Sequence, residues 1–495
     1  MKACAVFVCC LVAATALVGC GDGNDAVPPD RPGSDAETSS RASIQRQTPR
    51  RVLILMMDTL RADSLGVYGS KAGLTPHMDA FAEHAVVFEN AYATSSWTRP
   101  TVASMVTGRY PSSHTVLDRE DALPESARTV IELLEQAADT FSFGITTNAN
   151  ISTEMGFGRG YDEYGPLAGV RRRKYDGDPI GLVPADQVAE RSLQRLKTQK
   201  SIDSALTFGF IQFIDPHAPY YDNPDHNPTP RPPMGEYDGS HHDLDVMNSI
   251  GRRAATDANI KWLKYLYDGE VAYLDQAFGQ FIASLKAEGL FEDSMIILVS
   301  DHGEQFWEHG QRGHAKSLYE VEARVPFMIK FAGMPADQAR SIARPVSVVD
   351  IAPTIVDAMG LPAIDDFEGH SLLPLIETGR RDERLDYVFS ELSMFKTYGE
   401  SALRHGQFKL LVRYWHNRPA GNGIEIELYD LAADPAETRN LADSAEHAAV
   451  YRKLLAELSA WEADVSAWSL DGTDIEIRKL DEETQRQLRG LGYIQ

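Results

Sequence analysis

The sequence predicts an α/β fold in which a mostly parallel central sheet carries helices on both faces, with a small α+β subdomain at the C-terminus. The first observation is a series of apolar runs of strand length, at residues 51–57, 141–147, 207–213, 294–300 and 326–331. The second is that helical patterns alternate with these runs, at residues 78–84, 128–138, 185–197, 258–287 and 349–359. Strands that alternate with helices over such a length are typical of this fold class.

Length and charge narrow the class of protein further. The chain has 495 residues, of which 43% are hydrophobic and 24% are charged, a globular composition with room for one large domain and a smaller appendage. The formal net charge of −24 argues against nucleic acid or an anionic membrane surface as a partner, because either would repel the protein. A buried site can still be locally basic, so the charge does not exclude a small anionic substrate.

The N-terminus carries the features of an exported lipoprotein. All four cysteines lie in the first twenty residues. Lys2 and the apolar run 5–18 predict a signal peptide at 1–19, because the run is short for a transmembrane helix. The tetrapeptide Leu-Val-Gly-Cys that ends at Cys20 resembles a bacterial lipobox, and an ordinary signal peptide with a chance Cys is the alternative. We expect lipidation at Cys20, a polar tether over 20–50, and a place in the bacterial cell envelope, with the lipid anchor as the only membrane contact.

Acidic side chains follow three of the predicted strands at the point where each strand ends. Asp58, Asp215 and Asp301 each come after an apolar run. Because ligands bind beyond the carboxyl ends of parallel strands, we expect all three to face one crevice. Asp58 and the adjacent pair Asp301 and His302 suit a hard cation such as Mg²⁺, Ca²⁺ or Mn²⁺, although structural capping is the alternative for each carboxylate.

Residues 97–108 predict a turn followed by a short helix that stops at Gly108. Thr98 would lie just ahead of the helix N-terminus, where backbone N–H groups and the helix dipole favour an anion. A hydroxyl there can attack a phosphorus or sulfur centre if a metal lowers its pKa. The alternative is that Thr98 is simply the N-cap residue.

Two further loops carry basic side chains. His217 lies on a Pro-stiffened loop, Asp-Pro-His-Ala-Pro-Tyr, and His314 and Lys316 lie together in a second segment. Each of these taken alone is more often structural or exposed. Five polar clusters that all lie beyond a strand or on a loop favour a common site. The Pro- and His-rich residues 221–242 predict a long loop beside it, or a surface insert.

The pattern of apolar and polar residues changes from about Glu391. We therefore expect a catalytic domain over 51–390 and a C-terminal subdomain with a tail helix over 391–495. Residues 408–414 and 424–429 predict short antiparallel strands. Residues 446–463 predict a helix, and a last polar helix is expected from about Glu482.

The order of these motifs resembles that of the sulfatases. The motifs that carry the resemblance are Asp58 and residues 74–79, 98–108, 215–220, 300–304, 313–326, 366–374 and 428–441. Each motif is short, but their sequential agreement over residues 51–441 is specific. The resemblance implies an alkaline-phosphatase-like fold.

The chain departs from the sulfatase pattern at the expected nucleophile. Sulfatases carry Cys or Ser at the position of Thr98 and oxidise it to formylglycine, an aldehyde that Thr cannot yield. We therefore expect no formylglycine. Val102 replaces the Arg of the family pattern, and Thr59 replaces the second acidic residue of the first metal site. A Thr nucleophile with an Asp-His pair is more similar to lipoteichoic acid synthase and related phosphotransferases of the same superfamily.

The resemblance implies one divalent cation, Ca²⁺, Mg²⁺ or Mn²⁺, with four protein ligands: Asp58, Thr98, Asp301 and His302. Thr98 is the expected nucleophile. Three further side chains are expected to bind the anion or to protonate the leaving group: His217, His314 and Lys316. Arg99 is the expected substitute for the missing Arg of the family pattern.

Three functions remain open from the sequence. The first is a sulfatase-family hydrolase of sulfate or phosphate esters. The second is a phosphodiesterase or phospho-group transferase that acts on envelope glycans or lipids, which Thr98 favours locally. The third is an inactive binding protein that keeps the fold, and the retained histidines argue against it because a scaffold has no need of convergent ligands.

Overall fold

The computed structural model describes residues 44–166, 183–235, 239, 256–380, 382–394, 398–415 and 423–467. The expected signal peptide, Cys20 and the helix expected from about Glu482 lie outside these residues. No helix within the described ranges is both long and apolar enough to span a membrane.

The described residues form seventeen strands: β1 Arg51–Met57, β2 Val86–Phe88, β3 Ala91–Tyr92, β4 Thr140–Ile145, β5 Glu163–Gly165, β6 Leu206–Phe213, β7 Ser294–Ser300, β8 Gln305–Phe306, β9 Arg312–Gly313, β10 Arg324–Val325, β11 Phe327–Lys330, β12 Arg340–Ile342, β13 Val346–Ser347, β14 Val388–Met394, β15 Tyr398–His405, β16 Phe408–Trp415 and β17 Gly423–Asp430. They also form eleven α-helices: α1 Pro76–Ala82, α2 Thr98–Thr107, α3 Pro111–His114, α4 Val130–Ala137, α5 Ala185–Leu196, α6 Gln199–Asp203, α7 Asp257–Ala287, α8 Glu320–Ala323, α9 Ile351–Ala358, α10 Leu373–Thr378 and α11 Ala448–Ala467.

The central sheet has eight strands in the order β12-β2-β11-β7-β1-β6-β4-β5. The pairs among β7, β1, β6, β4 and β5 are all parallel, and β11 runs antiparallel to β7 and β2. All five predicted strands are present in this sheet, and the predicted fold class is confirmed. The members that the sequence did not reveal, β2, β5 and β12, are each only three residues long.

Helices cover both faces of this sheet. Alternate side chains of β1 point to opposite faces, as the period of a strand requires: Ile54 belongs to one buried cluster and Leu55 to the other. Helices α2, α4, α9 and α10 pack on the first face, and α1, α5 and α7 pack on the second. Both faces of the sheet are therefore buried, which explains why its strands are continuous apolar runs in the sequence.

The C-terminal part is an antiparallel sheet in the order β14-β15-β16-β17, which begins at Val388, close to the expected boundary. One face of it packs against α11 through residues such as Leu410 and Leu458. The other face contributes Leu392 and Leu411 to a cluster that includes Trp97. Trp97 directly precedes α2, so the C-terminal sheet supports the segment that carries Thr98.

The globular part begins a few residues before the expected end of the tether at residue 50. Ile44 is buried in the larger core cluster, and the backbone N–H of Gln47 donates to the carbonyl of Ala332 at 2.9 Å. Residues from Ile44 onward therefore pack on the domain. The described part of residues 221–242 contains no helix or strand, as the sequence predicts for a loop.

Candidate active site

Three metal-capable side chains converge at the carboxyl ends of β1 and β7. Met57 and Ser300 are register partners on these strands, so Asp58 and the pair Asp301 and His302 leave the sheet side by side. One ligand atom from each of the three lies within 4.8 Å of those of the other two, and all three side chains are fully buried. The structure thus brings together three of the four predicted metal ligands.

The two carboxylates are poorly satisfied by the protein itself. Asp58 Oδ1 and Asp301 Oδ2 are buried and have no hydrogen-bond partner within the described part of the chain. Burial raises the pKa of Asp58, and the neighbouring Asp301 raises it further. Burial likewise raises the pKa of Asp301 to about 6. Two buried oxygens without a donor, next to an imidazole, fit a bound cation, because a cation would satisfy both.

The turn after β1 is held in a strained conformation. Thr59 has a φ of 58°, which is unfavourable for a β-branched residue and costs on the order of 1–3 kcal/mol. Its N–H donates to Asp301 Oδ1 at 3.2 Å, and its carbonyl accepts from the Tyr267 hydroxyl at 2.9 Å. Tyr267 also accepts from the N–H of Arg61. These bonds fix Asp58 beside Asp301.

Thr98 is the first residue of α2, with Trp97 in the N-cap position. Its side chain is fully buried, and Oγ1 lies 3.4 Å from His302 Nε2. No side chain caps this helix end, so the positive end of the helix dipole lies beside the Thr98 hydroxyl. The sequence placed Thr98 ahead of the helix; the structure places it in the first turn and against the predicted metal ligands.

Two amide side chains that sequence reasoning missed complete this part of the site. Asn148 Nδ2 donates to Asp58 Oδ2 at 3.0 Å and lies 3.5 Å from Thr98 Oγ1. Gln212 Nε2 donates to the same Asp58 oxygen at 2.8 Å, and its carbonyl oxygen accepts from the N–H of Asn148. Asn148 follows the predicted strand at 141–147, so the rule that selected Asp58 could have found it. Gln212 is the one amide in a strand whose other residues, apart from Thr207, are apolar.

Three histidine rings lie next to one another beside this cluster. The ring centroids of His217 and His314 are 5.0 Å apart, and those of His314 and His302 are 4.5 Å apart. His217 Nδ1 lies 2.5 Å from the Ala218 carbonyl, which only accepts, so Nδ1 carries a proton. Burial lowers the pKa of His314 to about 4. The structure therefore brings both predicted histidines to the site.

His314 meets the carboxylate of Glu304, whose Oε2 lies 3.4 Å from His314 Nδ1. The hydroxyl of Tyr220 donates to the same oxygen at 3.0 Å. Burial alone would raise the pKa of Glu304, but His314 and Arg312 lower it to about 2. This carboxylate is therefore ionised at neutral pH.

Lys316 and Arg99 differ in what surrounds them. Burial lowers the pKa of Lys316, and its backbone N–H donates to Glu322. The Arg99 guanidinium instead donates to the carbonyl oxygens of Arg119 and Asp121 and to Asn150. These contacts hold the loops around α2 together, so the contacts found for Arg99 are structural. Its predicted anion-binding role stays a prediction.

Asp215 does not join the three metal-capable side chains. It is buried beyond the end of β6, as predicted, but the group whose ligand atoms converge contains Asp58, Asp301 and His302. Asp58 and Asp301 therefore lie together as expected, and the expectation that Asp215 faces the same crevice stays a prediction.

The fold and this cluster define an α/β protein with a candidate cation site at the carboxyl ends of its central strands. A family model described as Sulfatase matches residues 50–361, more than half of the chain, and one described as N-sulphoglucosamine sulphohydrolase, C-terminal, matches residues 308–464. The chain belongs to the sulfatase family, within the alkaline phosphatase superfamily, and is an ester hydrolase by descent. The predicted resemblance is confirmed.

Individual relatives agree with this assignment. An arylsulfatase of Clostridium perfringens is 26% identical over 455 residues, which cover 80% of this chain and 91% of the relative. A protein solved in complex with its substrate D-glucosamine-2-N,6-O-disulfate has a TM-score of 0.66 at 19% identity, covering 87% of this chain and all of that chain. The phosphonate monoester hydrolase of Agrobacterium radiobacter has a TM-score of 0.65 at 22% identity, covering 84% and 96%. At these identities the two solved structures show the fold alone.

Proposed function

We propose that this protein hydrolyses a sulfate or phosphate ester and that unmodified Thr98 is the nucleophile. The observation that carries the proposal is the position of the Thr98 hydroxyl, 3.4 Å from His302 Nε2 and beside two buried carboxylates. A Thr hydroxyl is a weak nucleophile at neutral pH and needs such surroundings to react. A Thr that served only as a helix cap would have no reason to face three metal-capable side chains.

Asp58, Asp301 and His302, with Thr98 Oγ1, would hold one divalent cation, Ca²⁺, Mg²⁺ or Mn²⁺. When bound, such a cation lowers the pKa of a hydroxyl and offsets negative charge on the ester. Oxygen donors dominate this set, which suits hard cations. Asn148 and Gln212 both donate to Asp58 Oδ2, so they leave Asp58 Oδ1 as the oxygen available to the ion.

The chain's own residues supply the remaining steps. Thr98 Oγ1 releases its proton to solvent and forms a bond to the sulfur or phosphorus, and the bond from that atom to the leaving-group oxygen breaks. The proton for the leaving oxygen comes from His314, with His217 and Lys316 binding the anion. Water then attacks the Thr98 ester and gives a proton to His314, which the first step left neutral; the bond to Oγ1 breaks, and the inorganic anion leaves.

Thr98 favours a phosphoryl substrate over a sulfuryl one. The family's aldehyde hydrate can eliminate sulfate, whereas a sulfated Thr has no such route and must wait for attack by water. A phosphorylated Thr can be resolved by water or by an acceptor alcohol, so the alternative of a phosphodiesterase or phosphotransferase acting on envelope glycans or lipids rests on the same residue. The structural likeness to a phosphonate monoester hydrolase is compatible with phosphoryl chemistry.

The decisive experiment is a panel of aryl sulfate, phosphate monoester and phosphodiester substrates, each assayed with Mg²⁺, Ca²⁺, Mn²⁺ and Zn²⁺. On the substrate found, Thr98→Ala should lose about 10⁴-fold or more in turnover, and Thr98→Ser should keep part of it. The matched control is Thr107→Ala in the same helix, since the Thr107 hydroxyl only bonds to the Ala103 carbonyl. Full activity of Thr98→Ala would rule out the nucleophile.

A covalent adduct would identify the nucleophile directly. Brief incubation with substrate followed by peptide mass analysis should place a phosphoryl or sulfuryl group on Thr98. An adduct on Ser95 or Ser96, which lie nearby in the sequence, would contradict the assignment.

We further propose that the protein is anchored in the bacterial envelope through lipid on Cys20. The support is the lipobox-like tetrapeptide alone. Labelled fatty acid should be incorporated into the protein, and Cys20→Ala should release it in soluble form. A wild-type protein that stays unlabelled and soluble would contradict this proposal.

A further inference from the structure

Glu304 is a buried carboxylate in direct contact with a histidine of the proposed reaction. It is 1% exposed, and its Oε2 lies 3.4 Å from His314 Nδ1. A carboxylate accepts hydrogen bonds, so the proton of this contact lies on Nδ1. We infer that Glu304 is a positioning residue, which fixes the ring of His314 so that Nε2 is the nitrogen presented to the leaving group.

Glu304 is itself held at two points, its backbone N–H and its carboxylate. Its backbone N–H donates to the Val321 carbonyl at 3.1 Å. A Cβ on the preceding Gly303 would lie only 2.0 Å from that same carbonyl, so the two segments are packed without slack. At the other end, the Tyr220 hydroxyl donates to Oε2 at 3.0 Å. A residue held at its backbone and at its carboxylate oxygen is a defined reference point for the histidine.

The backbone around His314 brings the residue close to Thr98 but leaves its ring to be oriented. His314 lies between Gly313, with a φ of 91°, and Ala315, with a φ of 57°. The Ala315 N–H donates to the Ser96 carbonyl at 2.8 Å, two residues before Thr98. An imidazole ring can still turn about its own side-chain bonds, and the contact to Glu304 favours the orientation in which Nδ1 faces the carboxylate.

The chemical consequence concerns the departure of the leaving group. The negative charge of the bound ester favours the protonated form of the His314 ring. As the bond from sulfur or phosphorus to the leaving oxygen breaks, the proton that this ring carries on Nε2 moves to that oxygen. The proton on Nδ1 stays on the ring, where it is donated to the Glu304 carboxylate, and the ring ends neutral. A carboxylate in this place keeps the correct tautomer and stabilises the cationic ring before transfer. This inference rests on the role of His314 in the proposed function.

The test compares two esters of the class identified by the substrate panel, one with a 4-nitrophenyl leaving group and one with an alkyl leaving group. The 4-nitrophenolate departs without a proton, whereas the alkoxide needs one. Glu304→Gln, which keeps shape and the Tyr220 bond, should lower kcat on the alkyl ester on the order of 10- to 100-fold. On the 4-nitrophenyl ester the loss should be less than about threefold.

His314→Ala and the double variant separate positioning from simple structural damage. The double variant should be no slower on the alkyl ester than His314→Ala alone, because Glu304 acts through His314. The control is Glu322→Gln, another buried carboxylate, which bonds to Gln305, Ser317 and the backbone N–H of Lys316, and to no histidine among the hydrogen bonds of the described residues. Any loss in this variant should be equal for both leaving groups.

The outcomes distinguish the inference from the function beneath it. Equal losses on both esters in Glu304→Gln, or additive losses in the double variant, would overturn the positioning role while leaving His314 as the acid. A His314→Ala variant without leaving-group dependence would instead remove the acid itself, and the inference with it. If Glu304→Gln does not fold, Tyr220→Phe, which frees the same carboxylate oxygen, should show the same leaving-group dependence in weaker form, and its absence would count against the inference.

Discussion

Buried charges occur in two regions of this molecule, and the protein treats them in opposite ways. Where the C-terminal sheet meets the catalytic domain, Lys409 lies 3.0 Å from Glu320 and 2.9 Å from Glu437. In the same region Arg413 lies 3.1 Å from Glu400 and 2.9 Å from Glu427. Each buried carboxylate named here faces a cation from the chain itself. We call this region the junction.

At the strand ends, by contrast, Asp58 and Asp301 face each other with a neutral His302 and without a Lys or Arg partner among the described ion pairs. Burial disfavours the charged form of both carboxylates, and among the described ion pairs no Lys or Arg offsets the negative charge of either. The comparison teaches that the protein can neutralise buried carboxylates and does not do so at this place. The missing positive charge is therefore a property of the site, and it points to a ligand.

The largest expected effect lies at the junction. Lys409→Met should lower the free energy of unfolding by about 3–5 kcal/mol, because two buried carboxylates lose their partner. Urea unfolding followed by circular dichroism measures this change. Arg384→Ala, which breaks an exposed pair with Asp382, is the control and should change little. Equal effects of the two variants would remove the distinction drawn for the junction.

At the candidate cation site, removal of a buried charge should raise the free energy of unfolding instead of lowering it. In the presence of a chelator at pH 7, Asp301→Asn should raise the free energy of unfolding by up to about 3 kcal/mol. This figure is the shift of the Asp301 pKa from 3.8 to about 6 at 1.36 kcal/mol per unit. The same variant should bind the cation much more weakly by elemental analysis. A destabilised variant with unchanged metal content would contradict the reading of this site.

The pH dependence of the cation-free protein tests independently whether the ionised Asp301 carboxylate lowers the free energy of unfolding. The folded pKa of Asp301 is about 6, above its ordinary value of 3.8, so the folded state holds this proton more tightly than the unfolded state. The stabilisation is complete below pH 3.8 and is lost as pH rises through 6. The difference in unfolding free energy between wild type and Asp301→Asn should therefore grow between pH 4 and pH 7. A difference that is constant over this range would show that the carboxylate is not destabilised.

The smallest effect concerns the amide that links Asp58 to Thr98. Asn148→Ala removes one donor to each, and Gln212 still donates to Asp58. Turnover should fall about tenfold, the equivalent of one hydrogen bond of roughly 1.4 kcal/mol. Steady-state kinetics with a thermal unfolding control would measure it, and unchanged turnover would remove Asn148 from the site.

The sequence predicted the parts of the molecule whose signals are local. Asp58 and Asp301 could be placed because a buried parallel strand is a continuous apolar run and its end marks the ligand edge. Strand β15 escaped prediction, since Glu400 and Arg404 interrupt its apolar pattern, whereas β16 keeps the apolar run Leu410–Val412 between its charged residues. Glu400 pairs with Arg413, so a charge that usually marks an exposed position is buried here.

The partners of individual side chains were beyond prediction for a related reason. The hydrogen bonds described for Arg99 go to carbonyl oxygens, and a carbonyl acceptor leaves no mark in a sequence. Glu304 lies within the motif at residues 300–304, but its contacts with His314 and Tyr220 are visible only in the structure. Residue types were predictable where they terminate an element, and pairings across the fold were not.

The packing of Trp97 against the C-terminal sheet sets an order of assembly. Trp97 is buried with Leu392 and Leu411, so the segment that presents Thr98 is completed by residues that leave the ribosome almost three hundred positions later. A nascent chain therefore holds an incomplete site, and truncation before β16 should leave a protein without activity. Activity appears only when the chain has been synthesised through the C-terminal sheet.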